Sequence, residues 1–285
     1  MKGRSLVKGA WFFLVLLLVL TGCASKEKQE GAASESKSPS SPSSSAAAKK
    51  SGEVYIYLVR HGKTMFNTTG QVQGWSDTPL TEKGVLGAKQ VAIGLRDIPF
   101  VKAYSSDLGR ARTTAKYILE AGQREGLALT ELEGLREWNY GGYEGKTNQE
   151  MWDPIFTSQG LKFDENWTQY GELTQKLSDR EISNLIAAND PTKTAENYDQ
   201  ITDRTKNAME RIVTEAEASG GGNVLAVSHG GEIATILELL VPGQYKGEDI
   251  GNCSVTIVKY ADGGYTLETV GDTSYLKKGE EALKQ

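Results

Sequence analysis

Apolar positions along this chain alternate between a period near two and a period near 3.6, and the alternation predicts its elements. Val54 to Val59 is a short β-branched run that reads as a buried strand. Thr81 can cap a helix whose Val85, Ala88, Ala92 and Leu95 fall on one face. Phe100 to Tyr104 is a second strand. Ser106 or Asp107 then caps a helix with Leu108, Ala111, Ala115 and Leu119 on its inner side. Leu127 to Leu132 is a third strand. Residues 146–195 are polar, spotted with aromatics and helical in pieces. Tyr198 to Ala218 is a helix with Ile201, Ala208, Ile212 and Ala216 in phase, broken by Gly220-Gly221-Gly222. Asn223 to Val227 is another buried strand, and Glu232 to Leu240 a helix ended before Pro242. Ser254 to Tyr260 and Tyr265 to Val270, around Asp262-Gly263-Gly264, form a hairpin.

Strands separated by helices predict an α/β protein with three α/β/α layers, a mainly parallel sheet and a small helical cap insertion at 146–195. Such sheets bind ligands beyond the carboxyl ends of their strands. The expected layout is a folded domain over 53–274 and a short tail over 275–285.

The N-terminal segment follows another pattern. Lys2, Arg4 and Lys8 precede a very apolar run from Ala10 to Leu20. The run is short for a membrane span and reads as a signal-peptide core. Leu20-Thr21-Gly22-Cys23 then looks like a bacterial lipobox. Residues 1–22 are read as a lipoprotein signal peptide, with Cys23 lipidated and residues 23–52 as a disordered tether rich in Ser, Ala, Lys, Glu and Pro. The expected location is the extracytoplasmic face of a bacterial membrane, held by the lipid anchor alone. Only two cysteines exist. With Cys23 lipidated, Cys253 has no disulfide partner and reads as a small core residue rather than a reactive thiol.

Charge narrows the function classes. The formal net charge is -5. Setting aside the three basic residues of the leader leaves 29 cations against 37 acids, or -8. An acidic body lacks the electrostatic footprint of a nucleic-acid binder, and an anionic substrate must be drawn by a few placed cations.

The chain holds two histidines. Each directly follows a buried strand and precedes glycine, in Leu58-Val59-Arg60-His61-Gly62 and in Ala226-Val227-Ser228-His229-Gly230-Gly231. Both imidazoles therefore belong at strand carboxyl ends, where glycines let backbone N–H groups approach a ligand. Arg60 is adjacent. Arg110 lies in the first turn of the helix after the second strand, where a guanidinium fork and a helix N-terminus both suit a phosphate. A proton donor is available in Glu137, with Glu144 and Asp107 as rivals that spacing does not separate.

These motifs resemble the histidine phosphatase superfamily, also called the phosphoglycerate mutase-like family. They are Arg60-His61-Gly62 with Thr64 and Asn67, Ser106 to Arg112, the turn from Leu135 to Gly145, and Ser228-His229-Gly230, in the family's order. The similarity covers most of 53–270 and is weakest over 146–195. The resemblance implies that His61 is the nucleophile that carries the phosphoryl group. It implies a phosphate pocket of Arg60, Arg110 and His229, lined by Gly62 and Asn67, with Glu137 as general acid and then base. Lys63 stands where many members carry Glu or Gln. Transfer of a phosphoryl group is catalysed mainly by positioning and by cations around its equatorial oxygens. The two histidines and absent cysteine cluster supply no zinc ligand set, and no carboxylate spacing marks a magnesium site, so no metal or cofactor is expected.

The expected activity is hydrolysis of small phosphomonoesters through a phosphohistidine. Two rivals remain: a phosphoglycerate mutase, disfavoured by the export signal, and a catalytically dead surface lipoprotein, disfavoured by the intact residue set. Trp152, Phe156, Phe163, Trp167 and Tyr170 either line an apolar entrance or form the cap's own core.

Overall fold

The computed structural model describes residues 52–124 and 126–284. The signal peptide, Cys23 and all but the last residue of the tether lie outside the described residues.

The chain runs β1 (Val54–Arg60), α1 (Met65–Thr69), α2 (Glu82–Gly94), β2 (Phe100–Ser105), α3 (Gly109–Ala121), β3 (Leu129–Glu131), α4 (Asn148–Ser158), α5 (Tyr170–Lys176), α6 (Asp179–Asn189), α7 (Tyr198–Ala218), β4 (Gly222–Ser228), α8 (Gly230–Leu240), β5 (Val255–Ala261), β6 (Gly264–Asp272) and α9 (Ser274–Leu283). The six strands form one sheet in the order β3-β2-β4-β1-β5-β6. The first four are mutually parallel, while β5 runs antiparallel to β1 and β6 to β5.

Alternation within the strands separates two cores. Ile56 and Leu58 face Met209 and Ile212 of α7 and Ile233 and Ile236 of α8. Val59 and Val227 face Ala88 and Val91 of α2 and Ala111 and Ala115 of α3. The result is the expected three-layer α/β/α arrangement. A third core lies within the insertion, where Met151, Trp152, Phe156, Phe163, Leu173 and Ile182 gather against Val72 and Trp138. Trp152, Phe156, Phe163, Trp167 and Tyr170 meet edge to face in a continuous chain. Of the two readings of these aromatics, the structure supports the cap's own core for Trp152, Phe156, Phe163 and Trp167, while Tyr170 is exposed.

Several local expectations change. Neither Ser106 nor Asp107 caps α3. Its N-cap is Leu108, and the first-turn amide of Arg110 donates instead to Asp77 Oδ1 at 3.2 Å. Asp107 is occupied by Arg136, which donates to it from both Nε and Nη2. The segment set apart as a tail forms α9, packed against α2. The third strand is shorter than its apolar run. The turn after α7 is all glycine because Gly220, Gly221 and Gly222 take φ of 94°, 83° and 119°, where a Cβ is strained. Asp262 and Gly263, both at positive φ, turn the β5–β6 hairpin.

Candidate active site

β1 and β4 are parallel neighbours in a register that pairs Arg60 with Ser228. The next residue on each strand is a histidine, so His61 and His229 emerge side by side at the carboxyl edge of the sheet. Their ring centroids are 5.2 Å apart. They are 3% and 0% exposed.

His61 is fixed from both sides. Its Nδ1 lies 2.8 Å from the Gly62 carbonyl, which can only accept, so Nδ1 carries the proton. Its Nε2 accepts from Arg110 Nε at 3.3 Å. Burial, then Arg110 and Arg60, hold the imidazole well below its usual range, so Nε2 is an unprotonated base near neutral pH. His229 is lowered well below the ordinary value by burial first and then Arg110 and His61. Neither of its ring nitrogens has a hydrogen-bond partner among the described residues, and neither does Arg60 Nε. Buried polar atoms left unpaired are costly unless a ligand engages them. Arg60 is anchored by Nη1 donating to the Ile250 carbonyl at 2.8 Å.

Arg110, 1% exposed, is oriented differently from the sequence expectation. Its fork does not face the pocket. Nη1 donates to the Ser76 carbonyl and Asp77 Oδ1, and Nη2 to the carbonyls of Gln73 and Gly74. Only the Nε edge faces His61.

Two pocket-lining expectations also change. Gly62 offers no free N–H, since it donates to Thr114 Oγ1 at 3.0 Å. It is glycine because a Cβ there would sit 2.5 Å from the Gly84 carbonyl, where the loop after β1 presses on α2. Asn67 uses Oδ1 to cap α1 at Thr64 N and to accept from Asn252 Nδ2, which also donates to the His61 carbonyl. Only its own Nδ2 remains for a ligand.

Glu137 lies at the start of α8. Oε1 accepts from the amides of Trp138 and Glu232, and Oε2 from Gly231 at 3.0 Å. Oε2 therefore keeps a lone pair for a proton. The rivals are spoken for: Asp107 by Arg136, and Glu144 by four backbone amides.

Behind Glu137 stands Arg204, unremarked in the sequence although it falls in phase with Ile201 and Ala208. It donates to the carbonyls of Gly134, Arg136 and Glu137 and pairs with Glu196 and Glu232. Burial pushes the Glu232 carboxyl up to about 8. Among the described residues, no group of three or more His, Cys, Asp or Glu side chains is arranged to hold a metal ion.

The fold and site thus define an α/β/α protein with two adjacent buried imidazoles, Arg60 and the Nε edge of Arg110 near them, and the Glu137 carboxyl group held at the head of α8. The histidine phosphatase superfamily (branch 1) is matched over residues 56–273, and the chain belongs to it. It is 31% identical, over 74% of its length and 88% of the relative's, to the 2,3-bisphosphoglycerate-dependent phosphoglycerate mutase 2 of Gloeobacter violaceus. Among solved structures it is similar to a phosphoglycerate mutase from Bacillus anthracis, with 42% identity, a TM-score of 0.74, and 81% and 98% of the two chains covered. It is also similar to the phosphoserine phosphatase of Entamoeba histolytica in complex with 3-phosphoglyceric acid, with 25% identity, a TM-score of 0.55, and 78% and 99% covered.

Proposed function

We propose that this protein hydrolyses small phosphomonoesters by way of a phosphohistidine on His61, without a metal ion. The observation that carries the reading is the state of His61: buried, neutral, its tautomer set by the Gly62 carbonyl, and its Nε2 turned to Arg110, near both His229 ring nitrogens and Arg60 Nε, which have no hydrogen-bond partner among the described residues. Nε2 attacks phosphorus in line, and the ester oxygen leaves with a proton from Glu137. Glu137 then takes a proton from water, which cleaves the phosphohistidine and releases phosphate. His229, Arg60 and the Nε edge of Arg110 hold the equatorial oxygens as charge builds on them.

A phosphoglycerate mutase uses the same first half-reaction and returns the group to a hydroxyl instead of water. That reading is favoured by the names of the relatives. The extracytoplasmic, lipid-anchored location is part of our proposal and is supported by the apolar run ending in Leu20-Thr21-Gly22-Cys23. Incubation with a panel of phosphomonoesters, with rapid quench for labelled His61, tests the activity. Phosphate release with label on His61 is expected. Monophosphoglycerate isomerisation outpacing phosphate release would replace hydrolysis by the mutase reading. Neither label nor phosphate would leave a non-catalytic binding protein.

A further inference from the structure

Glu144 touches neither histidine, yet its carboxylate accepts four backbone amides. Oε1 takes Trp75 at 2.7 Å and Tyr140 at 3.0 Å, and Oε2 takes Ser76 at 2.9 Å and Gly74 at 3.1 Å. Three of these donors belong to the loop that holds Arg110. In a planar trans peptide the N–H and the preceding carbonyl point in opposite directions. The amide of Gly74 and the carbonyl of Gln73 are one such unit, and the amide of Trp75 and the carbonyl of Gly74 are the next. Each unit therefore donates to Glu144 at one end and accepts from Arg110 Nη2 at the other, at 3.3 Å from Gln73 and 2.7 Å from Gly74. Two aligned peptide dipoles join a carboxylate to a buried guanidinium, an arrangement that each charge stabilises.

The same loop reaches the acid. Trp75 Nε1 donates to the Glu137 carbonyl at 3.0 Å, and Tyr140, the fourth donor to Glu144, lies three residues beyond Glu137. The loop has no slack, since a Cβ at Gly74 would collide with the Trp138 carbonyl and with Glu144 itself.

We propose that Glu144 is a positioning residue: through the peptides Gln73–Gly74 and Gly74–Trp75 it aims the Nε edge of Arg110 at His61 and fixes the separation of the phosphate cradle from Glu137. The inference rests on the reading of that cradle as the phosphoryl site. Glu144→Gln places an NH2 group against amide donors and removes the charge that orders them.

The test uses the full-length protein with orthovanadate, inorganic phosphate and a pair of activated and unactivated esters. For Glu144→Gln the dissociation constants of both anions are expected to rise roughly ten- to a hundred-fold, and kcat/KM to fall by a similar factor for both esters. The acid limb of kcat/KM against pH shifts upward, because Arg110 no longer disfavours the imidazolium of His61, whose other charged or titratable neighbours are Arg60 and His229. Glu144→Asp, which keeps the charge on a shorter stem, recovers part of each loss and serves where the Gln variant does not fold. A lowered melting temperature with unchanged anion affinity and an unchanged acid limb in Glu144→Gln, or in Glu144→Asp where only that variant folds, overturns the proposal. So does slowing confined to the unactivated ester, which would make Glu144 the proton donor. A wild type that binds both anions but never labels His61 overturns the catalytic reading, while the binding arm still judges Glu144. A wild type that binds neither anion ends both.

Discussion

His61 and Glu137 are each held by backbone, but by groups of opposite sign. A carbonyl at Nδ1 leaves His61 its lone pair at Nε2, and amides at the head of α8 hold the Glu137 carboxyl toward the cradle. The two roles separate experimentally. His61→Ala removes the imidazole that the proposed mechanism makes the phosphoryl carrier and is expected to abolish turnover and labelling together. Glu137→Gln keeps the shape of the side chain but cannot transfer a proton to the leaving oxygen. It is expected to slow an unactivated alkyl phosphate by about 10²–10⁴-fold and a nitrophenyl ester far less. Steady-state rates with the two esters check this; equal slowing would remove Glu137 as the acid.

At the scale of elements, glycine sets how closely neighbours approach. The loop after β1 reaches α2 because Gly62 and Gly84 lack side chains, and α9 reaches α2 because Gly94 and Gly279 do. A Cβ at Gly279 would collide with the Gln90 carbonyl, and one at Gly94 with that of Tyr275. Gly279→Ala is therefore expected to cost about 1–3 kcal/mol in chemical denaturation, as overpacking does. Gly171 in α5 is exposed, with nothing within 4 Å of an added Cβ. Gly171→Ala is expected to be neutral or stabilising by up to about 1 kcal/mol. An equal gain for both would mean that helix propensity, not the α2–α9 contact, governs these sites.

For the molecule as a whole, burial of ionisable groups acts in both directions. His61 and His229 are lowered in the fold, so below about 6.5 the unfolded chain binds protons that the native one refuses, and stability drops as the pH drops. Glu232, raised to about 8, and Asp179, raised to about 7 by burial and by Glu238 and Glu137, oppose this, since the native chain then binds the extra proton. The absolute curve is therefore a poor reporter. The difference between His229→Asn and wild type isolates one imidazole: it is expected to move in favour of the variant as pH drops below 6.5, by at most about 1.4 kcal/mol per unit. Urea titrations of both proteins between pH 7.5 and 5 measure it, and a constant difference would show that His229 titrates normally.

The sequence by itself determined the alternation of elements, the position of both histidines at strand ends and the ordered motifs, because these depend on local periodicity and residue type. Arg110 in a first turn was likewise legible. The tertiary structure decided what each of these groups faces. Register made His61 and His229 neighbours, and a loop remote from Arg110 in sequence took over its fork. Four amides claimed Glu144 and Arg136 claimed Asp107, which left Glu137 beside the cradle. Hydrogen-bond partners of this kind come from distant segments, so no local spacing encodes them. The same holds for Arg204, passed over in the sequence, whose hold on the Glu137 carbonyl is set by tertiary contacts.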